Sequence, residues 1–179
     1  MYELFLTCPK GLEQSCKKEL EQITSSKVTD EKGGVSLSGD ILDIYKINIH
    51  SRIGMILLVK LLDFNFKSVD ELYNSACQFK WHTTIDPKLS FAIDTNIIVE
   101  NRNLNNSQFA TMKIKDAICD TILKAKRKRP SIDKDNPDLP IRVVISGQNC
   151  KIYLNSSGNP LYMRGYKKNV HKASINESL

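Results

Sequence analysis

The stretch NSQFATMKIKDAICDTILKAKRKRPSIDKDNPD, residues 106–138, constrains this chain most. Ile114, Ala117, Ile118, Thr121, Ile122 and Ala125 recur at helical spacing, and a stripe of that kind needs a sheet to cover it. The pattern predicts a helix from Ser107 to about Lys128, ended by Pro130, which has no amide to continue the ladder. Ser107 is the predicted N-cap, and the free amides behind it suit a phosphate.

The cations of this helix lie off its apolar stripe or at its end. They are Lys113, Lys115, Lys124 and the run Lys126, Arg127, Lys128 and Arg129. Cations in a last turn complement the helix dipole with no ligand at all. Four in succession exceed that requirement and repel one another unless solvent or an anion faces them. A polyanion relieves the repulsion and releases its own counterions. Charge alone leaves both a solvated helix end and a nucleic-acid contact open. Lys115 and Asp116 are adjacent and are expected to point in different directions, and Lys113 and Lys115 do not share a face.

A chain of 179 residues with 41% hydrophobic residues has room for one or two small domains, each with its own core. The net charge of +6 is modest and separates nothing by itself. Cys8, Cys16, Cys77, Cys119 and Cys150 form no CxxC pair. They are expected to be reduced, partly buried thiols, not a disulfide framework or a metal site. The apolar run Met55 to Val59 is far short of the roughly 20 residues a bilayer requires. No leader pattern precedes the first strand. A soluble, cytoplasmic protein without membrane or metal partners is expected.

The first 65 residues read as β-α-β-β-α-β. Tyr2 to Thr7 is a strand closed by Pro9 and Gly11. Leu12 to Ile23 is a helix with Leu12, Cys16, Leu20 and Ile23 on one face. Lys27 to Asp30 and Val35 to Ser38 are strands joined by Lys32-Gly33-Gly34, which supplies the φ > 0 positions of a tight hairpin. Asp40 is placed to cap a helix over Ile41 to His50, with Ile41, Ile44, Tyr45 and Ile49 as its apolar stripe. Arg52 to Phe64 is the fourth strand. This order is the ferredoxin-like split βαβ arrangement, which serves many functions.

Ser68 opens a second unit. Ser68-Val69-Asp70-Glu71 fits a capping box for a helix to about Phe79. Trp81 follows, with a loop through Pro87. Leu89 to Asp94 alternates as a strand that Ile97 to Val99 extends or follows. After the long helix, Ile141 to Ile145 and Lys151 to Leu154 pair across Ser146-Gly147-Gln148-Asn149. The domains are expected at 1–65 and 66–166, with a linker over 167–179; profile boundaries for the second run about 43–155.

Chemistry-bearing patterns are scarce. Asp133, Asp135 and Asp138 lack the central Gly and terminal Glu of a calcium loop, so residues 133–140 read as a connector whose Asp side chains bond its own amides. Asn136-Pro137-Asp138-Leu139 lacks the second proline and the aromatic of an amino-methylating motif. His50, His82 and His171 sit in no nucleophile motif. Gly33-Gly34 lies in a hairpin, outside the strand-to-helix context of a nucleotide loop. The tail Met163-Arg164-Gly165-Tyr166-Lys167-Lys168 alternates cations with an aromatic, which suits phosphate contact and stacking as well as it suits a solvated linker.

Five segments in order carry a family resemblance: GLEQSCKKEL, GGVSLSGD, SQFATMKIKDAICD, RPSIDKDNPD and LNSSGNPLYMRGYK. Together they resemble the N-terminal region of bacterial 23S rRNA guanine-N2 methyltransferases of the large-subunit L type. The resemblance implies an α+β chain, a ferredoxin-like domain followed by a THUMP domain, that together bind RNA, here 23S rRNA. It implies that Ser107, Lys113, Lys115, the cations Lys126 to Arg129 and Arg164 face RNA. Asn106, Arg102, Arg142 and Lys167 join them from charge and position. In that family a Rossmann-type domain using S-adenosylmethionine follows the RGY-type segment. Residues 171–179 resemble its start, with Ser174 where a proline is usual, so the chain is expected to be either a truncated piece of a longer enzyme, which the abrupt stop favours, or a free-standing module, in both cases holding no cofactor and no catalytic residue. The rivals are another THUMP enzyme, such as a tRNA 4-thiouridine synthetase, and a non-enzymatic protein-interaction domain.

Overall fold

The computed structural model describes residues 1–100, 104 and 106–164. The described chain divides into two compact units, one of residues 1–60 with 155–164, the other of residues 61–154.

In the first unit the order is β1 (Tyr2–Thr7), α1 (Glu13–Ile23), β2 (Val28–Glu31), β3 (Gly34–Gly39), α2 (Ile41–His50) and β4 (Ile56–Asn65), whose last residues enter the second unit. The strands lie in the order β2-β3-β1-β4, antiparallel throughout. This is the ferredoxin-like order the alternation predicted. Register explains the core. Leu4 stands opposite Leu37 and Val59, and Leu6 opposite Val35 and Leu57. One sheet face is thus an apolar layer, and Cys16, Leu20, Ile44 and Ile47 are buried with it.

The hairpin glycines have different reasons. Gly33 adopts φ +83°, while a Cβ on Gly34 would lie 2.4 Å from the Leu6 carbonyl oxygen. Asp40 caps α2, and Asp43 returns the bond to the Asp40 amide, completing a capping box. The predicted stripe of α2 is corrected. Ile44 and Ile47 face the core, whereas Ile41, Tyr45 and Ile49 are about half exposed or more. Six of the ten residues of α2 are large apolars, so spacing alone selects no face.

The second unit contains α3 (Val69–Cys77), α4 (Trp81–Thr84), β5 (Ser90–Val99), α5 (Ser107–Lys126), β6 (Ser131–Ile132), β7 (Leu139–Ser146) and β8 (Asn149–Asn155). Its strands run β8-β7-β5-β6, with β5 parallel to both β6 and β7 and β7 antiparallel to β8. Helix α5 is the crossover a parallel pair requires. Its residues Ile114, Ile118 and Ile122 are fully buried with Trp81, Phe91, Val143 and Ile152. Ala125, assigned to that stripe by spacing, is exposed.

Ser68 accepts from the Glu71 amide, but Glu71 returns its bond to the Lys67 amide, one residue before the cap. Residues 81–84 form a short helix where a loop was expected. The reason is Trp81, whose indole is buried and donates to the Ala76 carbonyl at 2.7 Å. All five cysteines are free, and four are buried.

Candidate nucleic-acid interface

The long helix organises the candidate site. Its N-cap is Asn106, whose carboxamide oxygen accepts from the Gln108 and Phe109 amides at 2.9 and 3.1 Å. Ser107 is instead the first helical residue, and its carbonyl accepts from the Thr111 hydroxyl. Both residue types cap well, so composition did not decide between neighbours.

At the other end Arg127 closes α5 in the left-handed region, φ 53° and ψ 22°. A non-glycine residue there is uncommon. The helix thus ends at Lys126, two residues before its predicted end and four before Pro130. Lys124 and Lys126 to Arg129 are all exposed. Among the described residues no carboxylate forms an ion pair with Lys124, Lys126, Arg127 or Lys128. Arg129 differs. Its guanidinium is raised above the ordinary value by a hydrogen bond to the Cys119 sulfur, and beyond that by Asp116 and Asp120.

The helix rises about 1.5 Å per residue, so Ser107 and Lys126 are roughly 28 Å apart. The members of the RNA-facing set that lie on α5 and at its end thus separate into two groups. Near the N-terminus, Lys115 and Ser107 line an open cleft of about 750 Å³ between α5, β5 and the strand that follows. Lys113 points elsewhere, over the Phe109 ring at 5.6 Å from its centroid. Lys115 pairs with Asp116 at 3.2 Å. Adjacency was expected to hold those two apart, but the long lysine stem bends back across one residue. The pair is half exposed and contributes little.

Arg142 is engaged as well. It stands beside Asp94 in the β5–β7 register and pairs with it at 2.7 Å. Arg164 belongs to the first unit. Its guanidinium donates to the carbonyls of Leu161, Ile49, Asn48 and Ser51, which closes the C-terminal end of α2. Lys167 and Arg102 lie outside the described residues.

Lys134, Gln108 and Thr95 also line the cleft and were missed in the sequence. Lys134 sits in the Asp/Pro connector, which carried no signal of a fold contact. That connector does make its expected turn, since Asp133 accepts from the Asp135 and Asn136 amides. It is also anchored by Asp138, which accepts from the Ser90 amide and hydroxyl. These bonds hold the Asp138 carboxyl below the usual range.

Other chemistry has little support in the described residues. No group of three or more His, Cys, Asp or Glu gathers to hold a metal ion, and no helix is long and apolar enough to cross a membrane. Cys16 and Cys150 are desolvated by burial, which raises their pKa and disfavours thiolate.

Comparison with known proteins agrees with this arrangement. The RlmL ferredoxin-like domain model matches residues 3–55 and the THUMP domain model residues 66–155. The chain is 31% identical over 178 residues to the ribosomal RNA large subunit methyltransferase K/L of Pseudomonas syringae. That match covers 99% of this chain and 24% of the relative, so the chain spans about a quarter of such a protein's length. Among solved structures, a predicted N6-adenine-specific DNA methylase from Listeria monocytogenes superposes with a TM-score of 0.88 at 20% identity, over 99% of this chain and 46% of the other. A 4-thiouridine synthetase–RNA complex superposes less well, with a TM-score of 0.58 at 14% identity, over 86% and 41%. Two ordered units, a capped crossover helix with a cationic end, and two consecutive domain matches lead to one assignment: this chain belongs to the THUMP family and carries the RlmL ferredoxin-like domain ahead of its THUMP domain.

Proposed function

We propose that this chain is the RNA-holding part of an S-adenosylmethionine-dependent 23S rRNA guanine-N2 methyltransferase working in the cytoplasm. One observation carries the reading. A THUMP unit presents the consecutive cations Lys126, Arg127 and Lys128 exposed and, among the described residues, without ion-pair partners just where α5 ends. Cations so placed contact phosphates and fix the register of a folded RNA, while leaving sequence largely unread. Methyl transfer belongs to a catalytic domain acting in cis on the RNA held here. The kinship to methyltransferase K/L proteins, at 31% identity over nearly the whole chain, favours this reading over a tRNA 4-thiouridine synthetase.

The test is fluorescence anisotropy with a labelled hairpin of 23S rRNA across a salt series. Binding is expected to weaken as salt rises. The double variant Lys126→Glu, Lys128→Glu is expected to bind at least about tenfold more weakly, with a salt slope reduced by about two contacts. Circular dichroism should show the fold intact. Undiminished binding by that folded variant would sink the assignment of this helix end.

A further inference from the structure

We infer that the cleft beside the N-terminal half of α5 seats one unpaired nucleotide of the bound RNA. This rests on the reading of the unit as an RNA holder and adds a second, chemically different contact to it. At about 750 Å³, the cleft falls within the roughly 300–1,000 Å³ of small-ligand clefts. A duplex buries its bases in stacks, so a cleft of this kind takes a base that has left the stack. Sequence-dependent recognition of RNA works chiefly on such bases.

The walls suit one nucleotide part by part. Met112, Ile132 and Pro137 give an apolar surface for the flat base. Gln108, exposed on the first turn of α5, offers an amide donor and an acceptor to a base edge. Lys115 and Lys134 flank the cleft from the helix and from the connector, and complement a phosphate. Lys115 is paired with Asp116, but that half-exposed pair exchanges for a phosphate at little cost. Asp94 also lines the cleft, and its charge is offset by Arg142 at 2.7 Å. Among the described lining residues, the one carboxylate is therefore compensated before an anion enters.

The experiment compares two RNA hairpins on the full chain, one fully paired and one carrying a single bulged adenosine. The bulged hairpin is expected to bind about tenfold tighter, near the low end of what one stacked base contributes. Met112→Glu, at an exposed position on the cleft wall, is expected to remove that preference and leave binding of the paired hairpin nearly unchanged. The Lys126→Glu, Lys128→Glu variant should instead weaken both hairpins and keep their ratio. Equal wild-type affinities, or a preference that survives Met112→Glu, would overturn the cleft and leave the RNA-holding reading standing. Should neither hairpin bind, that reading fails, and adenosine monophosphate decides the cleft alone. Millimolar nucleotide that shifts the Thr95, Thr111 and Met112 amide resonances supports it, and unmoved resonances overturn it.

Discussion

The two ends of α5 are built on opposite principles. At the N-terminus several polar groups have a protein partner: Asn106 caps two amides, Thr111 bonds the Ser107 carbonyl, Lys113 lies over Phe109 and Lys115 meets Asp116. At the C-terminus Lys126, Arg127 and Lys128 stand exposed past a left-handed residue. The first end has shape and little free charge. The second has free charge and little shape. Satisfied groups fix a surface that discriminates by fit, whereas unpaired cations attract any polyanion and depend on salt. One helix thus carries both modes about 28 Å apart, estimated from its rise per residue.

The comparison is broken most severely by removing what both ends share. Trp81→Ala leaves a large void in the core against which α5 packs, and is expected to cost about 3–5 kcal/mol in urea denaturation. Both ends should lose RNA binding together. Loss confined to one end would show that they do not depend on one core.

Alkaline pH acts on the same core. Burial, aided by the nearby Asp63, pushes the Cys150 thiol up to about 12. An unfolded thiol ionises near 8.5. The folded state therefore keeps a proton that the unfolded state has lost. Stability is unaffected below about pH 8.5 and falls above it, by up to about 1.4 kcal/mol per pH unit from this group. Cys150→Ala should flatten that slope in denaturation curves taken from pH 8 to 10, a window chosen from those two values. An unchanged slope would place the alkaline sensitivity elsewhere.

The smallest effect sharpens the contrast best. Arg127 occupies a conformation that glycine adopts freely, so Arg127→Gly should stabilise the chain by up to about 1 kcal/mol. The same change removes one exposed cation and should lower RNA affinity modestly, with a shallower salt slope. Stability and affinity moving in opposite directions would mark this end as shaped for its ligand. Both falling together would mean that the arginine serves the fold.

Much of the fold was legible because its signals are local. β1 was placed residue for residue by the turn signals that close it. The Asp40 cap, the Gly33 turn and the Ser68 cap followed from side chains bonding amides three or fewer residues away or from one residue's φ. The candidate site was legible in part. The exposed cationic run showed in composition, but the cleft did not, because Lys134 reaches it only through the Asp/Pro connector. The two-residue strand β6 was invisible for a related reason: Ser131 and Ile132 are a strand only because Ser90 and Phe91 lie beside them.

What the sequence determined by itself, then, was the order of elements, their caps and the density of charge at the end of α5. Each depends on neighbours within about one helical turn or one hairpin. Tertiary structure decided which of six apolar residues of α2 turn inward, which cations are spent and which are free. Arg142 is engaged by Asp94, 48 positions earlier, and Arg164 by the Ile49 carbonyl, 115 positions earlier. A charge's availability is set by what the folded chain brings against it, and spacing along the sequence carries no record of that.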